Sequence, residues 1–145
     1  MRVTDTMRRN FVAVDETASV TEASMSMLTK REGCAIVLRQ GKPFGIMTEQ
    51  DVTWKVAAKG LDPKNVKVVE VMSTPLITID PDADLMDAAK LMAKNKIRRL
   101  VAVRDGTVQG VLRASDISRH LETYMDQEMR AILRYTWMDH FSSAV

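Results

Sequence analysis

Few side chains in this 145-residue chain could do chemistry, and two of them stand in matched settings. Asp51 ends the stretch Gly-Ile-Met-Thr-Glu-Gln-Asp, and Asp116, 65 residues later, ends Gly-Val-Leu-Arg-Ala-Ser-Asp. Each carboxylate follows an apolar run and has a hydroxyl nearby, from Thr48 or Ser115. Free N–H groups at the start of a helix would favour an anion at such a place. The pattern predicts binding rather than catalysis, because no set of nucleophile, base and orienting group is visible.

A helix cap is the alternative interpretation of the first stretch. Thr48 followed by Asp51 fits a capping box, a hydroxyl at the N-cap with an acid three residues on. Capping does not require Asp at both matched positions, so the duplication favours function. Asp116 fits capping less well, because Arg113 cannot act as the N-cap side chain and Ser115 would have to take that place.

Composition narrows the class of protein. Apolar residues make up 46% and charged residues 28%, which is typical of a globular domain. The net charge of +2 argues against a protein held on nucleic acid by bulk electrostatics. No apolar run approaches the roughly 20 residues that a membrane span needs. We therefore expect a soluble, cytoplasmic protein that does not bind nucleic acid or membranes.

Metal and thiol chemistry are not expected either. The lone cysteine, Cys34, and the two histidines, His120 and His140, cannot form a Cys/His zinc site within one chain. Cys34 lies at the edge of an apolar run, where a small buried residue is expected rather than a nucleophile.

The chain contains an internal repeat. A shift of 65 residues places residues 7–56 on 72–121 without a gap, and nine of the 50 positions are identical. About three identities would be expected by chance. The apolar positions also coincide, so the two halves should share one local fold.

Each half predicts the order βαββα. Ser19 and Asp84 are the expected N-caps of the first helices. The predicted strands are Phe11–Val14, Ala35–Leu38 and Phe44–Met47, then Leu76–Ile79, Leu100–Val103 and Val108–Leu112. The second helices should begin near Glu49 and Ser115. The predicted domains are residues 3–59, a linker over 60–68, a second repeat over 69–122 and a C-terminal helical extension over 123–145.

A half of this size buries too little apolar surface to fold alone. We therefore predict an α/β (α+β) fold in which the two repeats pack sheet to sheet about a pseudo-twofold axis. Such packing leaves two related clefts between the repeats, and clefts of this kind commonly take small ligands.

The two Gly-apolar-apolar-x-x-x-Asp stretches, the leading Met7 and Met72 and the paired βαββα order resemble a tandem CBS-domain pair, the Bateman module. The resemblance covers residues 3–121. It implies regulatory binding of an adenosyl ligand, AMP, ADP, ATP or S-adenosylmethionine, with no required cofactor and no catalysis. A carboxylate can accept two hydrogen bonds from the vicinal hydroxyls of a ribose.

The resemblance also implies which residues would bind the ligand. One cleft would use Thr48, Gln50 and Asp51, with Leu76, Ile77, Ile97 and Arg98 from the other half. The second cleft would use Ser115, Asp116 and Arg99, with Phe11 and Val12 from the first half.

Two departures from the family pattern predict that the clefts differ. Arg113 replaces the usual Thr or Ser, and it either supplies charge for a phosphate or fills the pocket. The first repeat has Gly33 and Cys34 where the second has Arg98 and Arg99. On sequence alone we expect the multiply charged ligand in the Asp116 cleft, and a less charged nucleoside or nothing in the Asp51 cleft.

Beyond the repeats, apolar residues recur at helical spacing over residues 116–141, which predicts one long helix or two helices broken near Asp126. A helix that projects past its own domain should find a partner, and a homodimer is expected first. Folding back on the module and docking onto an effector protein are the alternatives. The rival functions are a dimeric scaffold with vestigial clefts and a nucleic-acid-associated regulator.

Overall fold

The first repeat has the predicted order of elements. The computed structural model describes residues 1–124, 131, 132 and 134. A 3-10 turn over Val3–Asp5 comes first. The repeat then contains β1 (Ala13–Asp15), α1 (Val20–Lys30), β2 (Cys34–Arg39), β3 (Lys42–Thr48) and α2 (Glu49–Val52), and α2 continues into a π-helical turn over Thr53–Ala57.

The second repeat follows the same order. A short helix, α3, over Val68–Val71 leads into it. The repeat contains β4 (Thr78–Ile79), α4 (Leu85–Asn95), β5 (Arg99–Arg104), β6 (Thr107–Arg113) and α5 (Ala114–Tyr124). In each three-stranded sheet the middle strand pairs parallel with the first strand and antiparallel with the third. The prediction of two βαββα repeats is confirmed.

The hairpins between the paired strands need backbone that most residues avoid. Gln40 and Gly41 have φ of 53° and 78°, and Asp105 and Gly106 have φ of 53° and 74°. Two successive residues with positive φ form a type I′ turn, whose twist suits a two-residue hairpin. Glycine at the second position adopts this conformation without a steric penalty.

The two sheets share one core between them. Its fully buried members are Cys34 and Ile36 of the first sheet, and Val101 and Val111 of the second. Each sheet also packs its other face against its own helices, in a separate cluster. Strands covered on both faces read as continuous apolar runs rather than alternating ones. The sheet-to-sheet packing of the repeats is therefore as predicted.

The segment that leads into each repeat packs on the other repeat. Val3 and Met7 are buried in the helix-to-sheet core of the second repeat. Val66, Val68 and Val71 are buried in that of the first repeat. The stretch over 60–68, expected to be a linker, thus contributes side chains to a core. This exchange ties the repeats together and brings each leading segment to the other repeat's sheet edge.

Some boundaries differ from the predictions. β1 and β4 begin two residues later than expected, at Ala13 and Thr78, although the carbonyls of Val12 and Ile77 still accept hydrogen bonds from the middle strands, at 2.8 and 3.3 Å. α5 begins at Ala114. Most of the predicted extension, including the apolar residues from Met125 to Phe141 other than Ala131 and Ile132, lies outside the described residues. Across the part of the chain that is described, no helix has the length and apolar character needed to span a membrane.

Candidate functional site

Asp51 lies in the first turn of α2, and its carboxylate is buried, with 6% of the residue exposed. Its Oδ2 accepts a hydrogen bond from the backbone N–H of Thr48 at 2.9 Å. The Thr48 hydroxyl in turn accepts from the Asp51 N–H at 3.4 Å. The alternative interpretation as a capping box is therefore geometrically correct. Capping, however, accounts for only one side of the carboxylate.

The other contacts of Asp51 come from elements that a cap does not need. Ser73, which leads into the second repeat, donates its hydroxyl to Asp51 Oδ1 at 3.2 Å. Lys55 Nζ lies 2.9 Å from the same oxygen and also donates to the Val71 carbonyl. A buried carboxylate between two repeats, surrounded by hydroxyls and one ammonium group, is suited to binding a polar group of a ligand.

The crossing of the chain explains why Ser73 reaches Asp51. The backbones of Ser73 and Ile46 exchange two hydrogen bonds, of 2.7 and 3.1 Å, along the outer edge of β3. Gly45 permits this close approach, because a methyl group there would lie 2.8 Å from Met72 Sδ and 3.1 Å from the Ser73 carbonyl. The glycine that opens the Gly…Asp stretch thus admits the other repeat's leading segment.

The second site, at Asp116, has the same backbone arrangement as the Asp51 site, but different side chains donate to its carboxylate. Asp116 is 5% exposed, and its Oδ2 accepts from the Arg113 N–H at 3.1 Å. The guanidinium of Arg113 forms a fork on the same carboxylate, with Nε 3.2 Å from Oδ2 and Nη2 3.0 Å from Oδ1. This contact raises the pKa of Arg113 above its usual range, with a smaller contribution from Glu32. Ser115, the N-cap that the capping interpretation required, lies inside the first turn instead, because α5 begins at Ala114.

A further ion pair lies next to this second site. Arg8 pairs with Val111 along the edge of β6, as Ser73 pairs with Ile46. Its Nε donates to Glu32 Oε1 at 2.9 Å, and the Glu32 side chain is only 6% exposed. The Asp116 site therefore contains two ion pairs, Arg113 with Asp116 and Arg8 with Glu32.

Comparison with known proteins agrees with this architecture. A family model of the CBS domain matches residues 3–57 and again residues 68–123. The CBS domain-containing protein YhcV of Bacillus subtilis is 34% identical over 116 residues, which cover 80% of this chain and 82% of YhcV. The chain is a member of the CBS-domain family.

Solved CBS structures share the whole arrangement. A hexameric CBS-CP12 protein from bloom-forming cyanobacteria superposes with a TM-score of 0.76 at 29% identity, covering 98% of this chain and 85% of that one. The CBS domain protein PAE2072 of Pyrobaculum aerophilum, solved in complex with AMP, gives a TM-score of 0.72 at 26% identity, covering 80% of this chain and 89% of that one.

The apolar residues predicted to line the CBS clefts pack in three different clusters. Phe11 and Leu76 pack at the edge of the core between the sheets and stay half-buried. Val12 is 2% exposed within the helix-to-sheet core of the first repeat, and its contribution to the Asp116 cleft stays a prediction. Ile77 and Ile97 are half-buried against the core of the second repeat.

The predicted polar residues are also placed unevenly. Gln50 and Ser115 are exposed, each directly before its aspartate. Arg98 is half-buried. Arg99 reaches the first CBS repeat, where a methyl group on Gly33 would lie 2.6 Å from its Nη2 and 3.1 Å from Glu49 Oε1. The charge of Arg99 thus lies near the start of α2, the helix of Asp51, and its assignment to the Asp116 cleft stays a prediction.

Four residues of these sites were missed from the sequence: Ser73, Lys55, Arg8 and Glu32. The repeat offset contains a signal for two of them, because Ser73 and Arg8 are 65 positions apart and each follows the matched methionine of its CBS repeat. Lys55 lies four residues after Asp51, on the same helical face.

Within the described residues, no cluster of three or more histidine, cysteine or acidic side chains has the arrangement of a metal site. The cysteine lies in the core between the sheets, where burial raises the pKa of the Cys34 thiol.

Proposed function

We propose that this chain is a regulatory module that binds an adenosyl ligand in the cleft at Asp51 and converts binding into a change of conformation or of partner. One observation carries the proposal: the buried Asp51 carboxylate contacts Thr48 of its own repeat and Ser73 of the other. A ligand at this carboxylate would touch both repeats. It could therefore favour one arrangement of the repeats over another, to the extent that it binds the two arrangements differently.

The chemistry of the Asp51 carboxylate and one structurally similar protein support a ligand of the adenosyl class. The vicinal hydroxyls of a ribose could donate to the two oxygens of Asp51, in place of the Ser73 hydroxyl and the half-exposed Lys55 side chain. The similar protein PAE2072 has been solved with AMP. AMP, ADP, ATP and S-adenosylmethionine all present this diol, so the phosphate or sulfonium end would decide among them.

Calorimetric titration of the full chain with these four ligands tests the proposal. We expect at least one of them to bind with a dissociation constant on the order of micromolar to millimolar, the range for a few buried polar contacts. Asp51→Asn should weaken that binding by at least about tenfold, equivalent to about 1.4 kcal/mol. Asp87→Ala, an exposed acidic residue on α4, is the matched control and should bind like the wild type.

Flat titrations with all four ligands, on a protein that unfolds cooperatively, would reject the sensor and favour the dimeric scaffold with vestigial clefts. A mobility shift of nucleic acid that weakens steeply with salt would favour the nucleic-acid-associated regulator. We propose no catalysis.

Self-association is a second part of the proposal. Met25, Leu28 and Met86 are large apolar side chains exposed on α1 and α4, and the similar CBS-CP12 protein is hexameric. We expect light scattering to show a dimer or larger assembly. Removal of residues 124–145 should reduce it to a monomer if the extension forms the interface, and an unchanged mass would assign the interface to the helices of the module.

A further inference from the structure

The carboxylates of Asp51 and Asp116 occupy matched positions but are satisfied in opposite ways. Asp51 accepts from Thr48, Ser73 and Lys55, three residues on three different segments. The three hydrogen bonds described for Asp116 all come from Arg113, one from its backbone and two from its guanidinium, and Arg119 Nη1 lies farther away, 4.0 Å from Oδ1.

The guanidinium of Arg113 bonds both carboxylate oxygens of Asp116, which are the two acceptors that a ribose diol would need. Nε donates to one oxygen of Asp116 and Nη2 to the other, so one planar group spans the carboxylate. Two vicinal hydroxyls would donate in this same way, one to each oxygen. At the matched position the short side chain of Thr48 reaches only Oδ2.

The cost of removing these donors also differs between the sites. Ser73 offers a single neutral proton, and the side chain of Lys55 is 41% exposed, so that water can solvate it when it moves. The side chain of Arg113 is only 26% exposed, and its guanidinium makes two charge-assisted bonds, which are stronger than neutral ones. The charge of Glu32 also favours the charged form of this guanidinium, since it contributes to the raised pKa of Arg113.

We infer that Arg113 closes the second cleft by occupying the ribose position of Asp116, so that each chain binds one adenosyl ligand, at Asp51. This inference rests on the proposed function and assigns its binding to one of the two clefts. It reverses the preference for the Asp116 cleft drawn from the sequence, and it favours the alternative that Arg113 fills the pocket. Arg113 is thus the residue that sets the number of ligands per chain.

The test is the number of AMP molecules bound by the full chain and by Arg113→Thr, which restores the hydroxyl found at Thr48. Equilibrium dialysis with labelled AMP measures this number without relying on heats of binding. We expect one AMP per chain for the wild type and two for R113T. Asp51→Asn should remove the site at Asp51, so that D51N alone binds no AMP and D51N combined with R113T binds one.

Arg113→Lys provides a second variant in case R113T does not fold, because lysine keeps the charge and cannot form the fork. R113K should also bind AMP at a second site, and thermal unfolding verifies that each variant is folded.

Four results would overturn the inference. Two AMP molecules on the wild type would show that Arg113 yields to the ligand, and one AMP on a folded R113T or R113K would show that something else closes the cleft. If the wild type binds one AMP, and this binding is lost in Asp116→Asn but kept in D51N, the ligand lies in the Asp116 cleft and not at Asp51. The first two results leave the proposed function standing, and the third keeps adenosyl binding but rejects its assignment to Asp51. No AMP on the wild type or on any folded variant would overturn the inference, and flat titrations with ADP, ATP and S-adenosylmethionine as well would reject the proposed function.

Discussion

The hydroxyl of Ser73 lies 3.2 Å from Oδ1 of Asp51, and this contact joins the leading segment of one CBS repeat to the first helical turn after the sheet of the other. Ser73→Ala removes one donor from a buried carboxylate. The free energy of unfolding should fall by about 0.5–1.5 kcal/mol, the net value of one such hydrogen bond. Because ribose hydroxyls would take the vacated place, AMP should bind S73A at least as tightly as the wild type.

Urea unfolding and dialysis with AMP measure the two effects of S73A. Thr53→Ala, an exposed position just after α2, is the control and should change neither quantity. If S73A bound AMP much more weakly than the wild type, Ser73 would contact the ligand directly rather than compete with it for Asp51.

Much of this arrangement follows from the sequence, because the duplication constrains both halves at once. The offset of 65 residues predicts two identical local folds, and the apolar runs predict sheets covered on both faces. The type I′ hairpins follow from glycines in matched turns. These features depend on short-range pattern, which a single sequence displays directly.

The crossing of the leading segments could not be predicted in the same way. Val3 and Val68 are apolar residues that would satisfy either core, and nothing in their local pattern indicates which repeat they join. The fork of Arg113 on Asp116 is likewise a matter of side-chain geometry. The spacing of three residues between Arg113 and Asp116 allows the contact, but the sequence is equally compatible with an Arg113 side chain that faces a ligand phosphate.

The two motif glycines should differ in their tolerance of a methyl group. A Cβ on Gly110 would lie 2.8 Å from the Arg8 carbonyl oxygen and 2.9 Å from Met7 Cγ, so backbone would have to move. On Gly45 the nearest atom is the flexible Met72 Sδ, and the Ser73 carbonyl is 3.1 Å away. Gly110→Ala should therefore cost about 1–3 kcal/mol of unfolding free energy, and Gly45→Ala less.

Chemical denaturation of both glycine variants measures this difference. Gly33→Ala is the control, because its closest neighbours are the mobile ends of Arg99 and Glu49. G33A should be nearly neutral, since the loss of chain entropy in the unfolded state offsets a small adjustment. Equal costs at Gly45 and Gly110 would contradict the packing described here.

The ion pair between Arg8 and Glu32 predicts an asymmetric pair of variants. Arg8→Met leaves the Glu32 carboxylate buried without its cation, and this should cost about 1–3 kcal/mol. Glu32→Gln leaves Arg8 with a side chain that is 39% exposed and can be solvated, so it should cost less. Arg9→Met, at an exposed neighbouring position, should stay within about 0.5 kcal/mol of the wild type.

Urea midpoints at neutral pH would establish the order of these three arginine and glutamate variants. If E32Q proved the more damaging, the carboxylate would have a role beyond its pair with Arg8.

The first residues of the chain should stabilise the second repeat more than the first. Val3 is fully buried in the second repeat's core, and its backbone N–H donates to the Ala83 carbonyl at 2.9 Å. Val3→Ala should lower the free energy of unfolding by about 1.5–3 kcal/mol, the value of burying such a side chain. Hydrogen exchange should show a greater loss of protection in α4 than in α1.

Met25→Ala removes an exposed apolar side chain and serves as the control for V3A, with a change within about 0.5 kcal/mol. A greater loss of protection in α1 than in α4 of V3A, relative to the wild type, would contradict the packing of each leading segment on the other repeat.

The buried thiol of Cys34 should make the fold less stable in alkali. Burial raises the pKa of Cys34 above the ordinary thiol value of 9.0, although the nearby Arg99 acts in the opposite direction. Above pH 9 the unfolded chain therefore loses its thiol proton while the folded chain keeps it. The stability due to the neutral thiol is fully present below that pH and is lost as the pH rises, by at most about 1.4 kcal/mol per pH unit.

Denaturation of the wild type and Cys34→Ala from pH 7 to 10.5 tests this effect. The alanine variant loses a constant amount of unfolding free energy with the sulfur and has no thiol to titrate. The difference in unfolding free energy between the two proteins should therefore narrow above pH 9. Iodoacetamide should also modify the native thiol far more slowly than the thiol of the unfolded chain, because the thiolate is the reactive form and the core excludes the reagent. Parallel stability curves with rapid native alkylation would mean that the core between the two sheets opens at this strand.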